Sequence, residues 1–220
     1  FSLDKPTKLQ LFIEMMIDFI NGVVKGTFKA AQNSLIAPMA LTIFFWVLLM
    51  NVMDLVPVDL IPYPAELLGI PYLKVVPTTD LNLTAALALS VFILYLFYSI
   101  KSKGFVGFIK SISLHPFGPW MLPANLFIEI IDLIAKPLSL ALRLYGNLYA
   151  GEMIFLLIAG MVSINLAELT FTGIGLNLAG ITLSLIWAIF HILIVVLQAF
   201  IFMMLTVVYM NMAHEKFEQH

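Results

Sequence analysis

The stretch LALRLYGNLYAGE, residues 140–152, decides how this chain is read. It places Arg143, Asn147 and Glu152 in surroundings that are otherwise apolar. An arginine at the centre of a lipid-crossing helix costs about 2.5–3.5 kcal/mol on insertion scales. Moving outward, residues 123–160 read as one helical run, with Pro137 the only strong internal breaker. At 1.5 Å per residue such a run is about 57 Å long. Residues 176–212 give a second run of similar length. Neither stands upright in about 30 Å of hydrocarbon, and ordinary tilts of about 20° absorb little of the excess. Either each run breaks, or the two lie steeply tilted as a helical hairpin.

The rest of the chain sets the class. Of 220 residues, 62% are hydrophobic and 11% charged, with mean hydropathy +1.04. Soluble domains carry about 25% charge. No Asp, Glu, Lys or Arg occurs between Lys29 and Asp54, between Asp80 and Lys101, or between Glu168 and Glu215. The expected fold class is an all-α polytopic membrane protein, a single membrane domain over 1–220. Residues 8–29 carry apolar side chains at helical spacing, from Leu9 to Val24, and form an amphipathic interfacial helix. Docking on a soluble partner is the alternative for that helix, since amphipathicity does not name its neighbour. Residues 35–53 and 81–100 form two upright transmembrane helices, joined by a Pro-rich acidic loop. Lys101, Lys103 and Lys110 place 101–122, the first helix and the C-terminus in the cytoplasm. The chain opens on Phe1 with no leader pattern, so an N-terminal segment is expected to be missing.

The net charge of −2 argues against nucleic acid as a partner, and the lack of cysteine excludes disulfides, thiolate metal sites and thiol catalysis. No cofactor or metal is expected, and no nucleotide-binding or zincin pattern is visible.

Helical phase then sorts the polar groups. Ser139, Gly146, Asn147 and Ala150 share the face of Arg143 at offsets of three, four and seven. Small residues there let a partner helix come close. Lys136 and Glu129 lie seven and fourteen residues back, near the same face unless Pro137 rotates them. Glu152, nine residues on, is half a turn out of phase. The helix therefore carries two ionisable groups on opposite sides, which a simple ion pair would not need. In the last helix His191 and Gln198 share a face. Histidine, or a buried carboxylate, can relay protons; arginine stays protonated and acts electrostatically. Plainer readings are a snorkelling Arg143, a satisfied core His191, and Asn147 and Gln198 as interhelical hydrogen bonders. Asp132 and Lys136 read as a local i, i+4 pair.

Three stretches carry a family resemblance: MNVMDLVPVDLIP (50–62), KPLSLALRLYGNLYAGE (136–152) and AIFHILIVVLQAFIFMMLTVVYM (188–210). In order, they resemble subunit a of the F-type ATP synthases, most closely the proteobacterial members. The resemblance implies a non-catalytic, proton-translocating stator subunit beside a rotating ring of c subunits. Its implied partners are the c-ring, the stator b subunits, the rest of the synthase and membrane lipid. Its implied location is the bacterial inner (plasma) membrane. It implies that Arg143 faces the ring between two offset half-channels. Asn147, Glu152, His191 and Gln198 resemble the outer half-channel lining, and Glu129, with Ser139 nearby, resembles the cytoplasmic one. Ser139, Gly146 and Ala150 are then rotor-facing. The rival readings are an independent proton-coupled transporter, which would need a solute pocket within the chain, and a purely structural membrane anchor.

Overall fold

A computed structural model describes residues 7–27, 35–56, 69, 76–114, 119–165 and 171–214. The described residues are almost wholly helical, with no strand among them. The helices are α1 (Lys8–Thr27), α2 (Ile36–Val52), α3 (Leu81–Leu114), α4 (Leu122–Asn165) and α5 (Phe171–His214). One-turn 3-10 helices occupy Met53–Leu55, Pro77–Thr79 and Pro119–Met121. The fold is an all-α polytopic membrane protein. Among the described residues three helical stretches, Ile36–Leu55, Leu81–Ser113 and Gly173–His214, are long and apolar enough to cross a membrane. Most of the acidic loop, His115 and the tail after His214 lie outside the described residues.

Local chemistry fixes the ends. Thr7 Oγ1 accepts from the Gln10 amide at 3.3 Å and caps α1. The Asp80 carboxylate accepts from the Asn82 amide at 2.8 Å and starts α3. Helix α3 runs past the expected 81–100, but in two pieces. Gly104 has φ 73° and ψ 160°, a conformation that excludes an L side chain and breaks the helical path there. Pro137 does not break α4, which stays helical for 44 residues. Proline removes one backbone donor, and membrane helices tolerate that where neighbours re-satisfy the freed carbonyl. Helices α4 and α5, at 44 residues each, would span about 66 Å.

The chain forms two compact units. The first comprises 1–46, 85–140 and 200–220. Its core includes Ile20, Phe44, Val91, Phe202 and Met210. There Phe19 meets Phe200, and Tyr95 meets Tyr209 edge-on. The second comprises 47–84 and 141–199, with Val47, Leu144, Leu148, Val195 and Ala199 at its core. Outer surfaces are apolar: Trp46, Ile93, Ile189 and Leu193 are all exposed. Apolar residues outside and polar residues inside suit lipid as the solvent.

Candidate functional site

Within the second unit α4 and α5 run antiparallel, and their facing surfaces collect polar groups. Asn147 Nδ2 donates to Gln198 Oε1 at 2.8 Å. Trp187 Nε1 donates to the Gly151 carbonyl at 3.3 Å. Leu144 and Leu148, one turn apart on α4, are both wholly buried. Interhelical hydrogen bonds are how a membrane hairpin holds its register, since lipid offers no hydrogen-bonding competitor.

His191 is 1% exposed and sits at the centre of this unit. Its Nε2 lies 2.7 Å from Asp54 Oδ2, and the Asp54 side chain is 5% exposed. Asp54 comes from the 3-10 turn that follows α2. The edge of Phe155 meets the imidazole with ring centroids 5.5 Å apart and planes at 79°. On its other side the ring lies against Gly151, where an added Cβ would overlap imidazole Cε1 and Nδ1. Gly151 is therefore the residue that admits the ring between α4 and α5. One turn along α5, the Val195 carbonyl accepts from Asn51 Nδ2 at 3.4 Å, and Asn51 is fully buried.

Arg143 and Glu152 flank the buried stripe of Leu144, Leu148 and Gly151, both half-buried. Counted from Leu144 at about 100° per residue, Arg143 falls about 100° to one side and Glu152 about 80° to the other. On the arginine's side, a Cβ added at Gly146 would meet nothing within 4 Å, and Ala150 is exposed. Tyr145 and Tyr149 stack 5.3 Å apart on the Glu152 side.

In the first unit, Ser139 is exposed and Glu129 half-buried. Lys136 is turned inward. It is 9% exposed, pairs with Asp132 at 2.7 Å and lies 5.0 Å from the Tyr95 ring centroid. Ala88, Val91, Phe92, Tyr95, Pro137, Leu140 and Tyr209 line with it a cavity of about 10 Å³. The i, i+4 pair expected from sequence is present, with Asp132 exposed and Lys136 buried against Tyr95 of α3.

The structure thus joins His191 to Asp54 and Asn147 to Gln198. Sequence reading named three of these four and missed Asp54. Asp54 belongs to the quoted stretch 50–62, yet it reads as one more charge at the rim of an acidic loop. A carboxylate immediately after an apolar helix was the available signal. Nothing in one dimension linked it to a histidine 137 residues away.

Comparison with known proteins identifies the family. Residues 2–211 match the family described as ATP synthase A chain. The chain is 59% identical to the ATP synthase subunit a of Shewanella amazonensis over 213 residues, 96% of this chain and 76% of that protein. It is 58% identical to the subunit a of Shewanella baltica over 211 residues, again 96% and 76%. The subunit a of Shewanella loihica is 59% identical over the same shares. A family match over nearly the whole chain, with relatives at this identity, decides the question: the chain belongs to the ATP synthase A chain family.

Proposed function

We propose that this chain is the proton-translocating stator subunit of a rotary ATP synthase, with Arg143 as the fixed charge between two half-channels. The observation that carries the reading is the division of α4. One flank offers Arg143 beside an open, small-residue surface at Gly146 and Ala150. The interior offers His191 and Asp54 as a buried pair, and Asn147, exposed on the arginine's side, reaches the buried Gln198.

The chemistry follows from the groups. An ionised Asp54 only accepts, so Nε2 of a neutral His191 donates to it. A proton arriving on the pair is held between two groups 2.7 Å apart and can be passed on without a large movement. Asn147 and Gln198 are neutral donors and acceptors, able to order water between such groups and the rotor surface. Glu152 lies on the opposite flank from Arg143. Arg143 keeps its charge throughout. It attracts an arriving rotor carboxylate, favours its ionised form, and repels a proton that would cross directly. A proton therefore crosses only by neutralising a rotor carboxyl on one side and leaving it on the other, near Ser139 and Glu129. No group of this chain acts on ATP in this reading; it supplies the ion path of the complex.

The partners are the c-ring, the stator b subunits, the rest of the synthase and lipid. The location is the bacterial inner membrane, with the C-terminus cytoplasmic. A solute transporter is the weaker reading, since His191 pairs with Asp54 and Gln198 with Asn147 rather than lining a solute pocket.

The test uses the natural absence of cysteine. Asn147→Cys and Glu152→Cys in assembled complexes should react with silver ion or a soluble thiol reagent, and proton pumping should fall. Glu152→Gln should slow pumping more than Glu152→Asp. Two inert cysteines in folded complexes would refute the aqueous half-channel.

A further inference from the structure

From Leu81 to Ile128 the chain carries Lys101, Lys103 and Lys110 and no Asp or Glu. This stretch is purely basic in a chain whose net charge is −2. Its three lysines gather around the break in α3. Gly104, at φ 73°, ends the first piece of that helix, and residues 105–114 continue on a new path. On the second piece Phe105, Val106 and Ile109 are exposed and fall within about 100° of one another. Lys110, also exposed, borders the same arc. Lys103 keeps its stem beside Gly107, where an added Cβ would stand 3.5 Å from Lys103 Cβ. The Lys101 ammonium lies 5.9 Å from the centroid of the Phe97 ring, which is itself exposed on the outer side of the first piece.

Trp120 belongs to the same end of the first compact unit. It is 97% exposed, and Met121 and Leu122 beside it are exposed as well. The wholly buried Asn125 donates through Nδ2 to the Ser113 carbonyl at 3.2 Å. That carbonyl is among the last of α3, which a helix leaves without a partner of its own. The bond ties the start of α4 to the end of α3 and holds Trp120 close to the second piece.

Two uniform solvents suit this surface badly. Water would leave a tryptophan and an apolar arc uncovered, and hydrocarbon would strand the ammonium groups and the indole N–H. The headgroup layer of a bilayer serves both kinds of group. Rings and aliphatic stems enter the acyl boundary, while ammonium and indole N–H groups meet phosphate. A protein partner can also bury an exposed tryptophan. Three lysines with no carboxylate among them favour a phosphate-bearing occupant, and an anionic one. A zwitterionic headgroup brings its own cation to the lysines, whereas an anionic headgroup does not.

We propose that the second piece of α3 and the Pro119–Met121 turn form a docking surface for anionic phospholipid. Lys101, Lys103 and Lys110 hold the headgroup phosphates, and Phe105, Val106 and Trp120 sit at the acyl boundary. The inference is independent of the half-channel reading.

The experiment uses the absence of cysteine from this chain. Val106→Cys, in a complete synthase whose other subunits carry no cysteine, takes a fluorophore. The complex is placed in vesicles of phosphatidylcholine with a minority of phosphatidylglycerol. Either lipid is supplied with brominated acyl chains, which quench the fluorophore on contact. At equal mole fraction, brominated phosphatidylglycerol should quench about fivefold more effectively than brominated phosphatidylcholine, the weight of one lysine beside an anionic headgroup. The combined variant Lys101→Gln, Lys103→Gln and Lys110→Gln should quench equally with both. Absence of quenching by either lipid would show that protein covers the face and would overturn the proposal. Equal quenching in the unsubstituted chain would mean lipid contact without an anionic site, and would overturn it too. So would a preference that survives loss of all three lysines. Should the combined variant fail to assemble, salt gives the second measure. Exposed charges are screened at high ionic strength, so the preference should fall toward equality there. A preference that salt leaves unchanged would count against the lysines as its source.

Discussion

His191 Nε2 lies 2.7 Å from Asp54 Oδ2, and both side chains are shut off from solvent within one compact unit of the chain. Such a pair is costly to half-remove. Breaking a buried charge-assisted pair leaves the remaining group unsatisfied, at about 3–5 kcal/mol when it stays charged.

Asp54→Asn should therefore slow proton pumping by about tenfold or more, because an amide cannot take the imidazole proton. Asp54→Glu should keep part of the activity. His191→Ala should resemble Asp54→Asn, and the double variant should be little worse than either alone, since the two act as a unit. Pumping assays on assembled complexes measure all four. Additive losses would show that the pair does not work as one.

Arg143→Ala should abolish coupled proton transport while leaving the complex assembled, because the half-buried guanidinium lies outside the buried Leu144 and Leu148 stripe. Arg143→Lys should also be severely impaired. A buried ammonium loses its proton more readily and lacks the planar fork. Wild-type pumping by an assembled Arg143→Lys complex would remove the electrostatic-barrier role.

The open stripe on α4 should be the surface that meets the rotor. Single cysteines at Ser139, Gly146 and Ala150 should form disulfides with cysteines on the c subunit's outer helix. Cysteines replacing Ala141, Leu144 and Leu148 should not, because these three side chains are buried within this chain. Ala150→Trp should obstruct rotation. Leu148→Trp is a poor control for it: Leu148 is 0% exposed, so added bulk would disturb packing at about 1–3 kcal/mol. Leu142, exposed and about 100° from Arg143, is the better one.

Gly151→Ala should displace the His191 ring from Asp54, since the added methyl overlaps the imidazole. The expected result is a several-fold loss of pumping together with lowered thermal stability of the complex. Gly146→Ala, at a site open within 4 Å, should leave the fold of this chain unchanged. Equal stability losses in the two variants would contradict the close approach at Gly151.

The sequence by itself determined what depends on local periodicity. Long charge-free gaps specify membrane helices, and the length of residues 123–160 exceeds the hydrocarbon thickness, so that the run either breaks or tilts. The nine-residue offset of Arg143 and Glu152 puts them on opposite flanks before any coordinates are seen. The same periodicity gathers Ser139, Gly146 and Ala150 on the arginine's face. Tertiary structure alone decided which distant groups meet. Asp54 reaches His191 across 137 residues, and Asn147 reaches Gln198 across 51. It also decided that Lys136 turns inward to Tyr95, and that the strong breaker Pro137 leaves α4 unbroken. The physical reason is one of range. A helix fixes the direction of each side chain within a few residues, so faces are legible along the chain. Which face meets which is set by packing between helices, where small residues such as Gly151 permit close approach and paired polar groups choose the register.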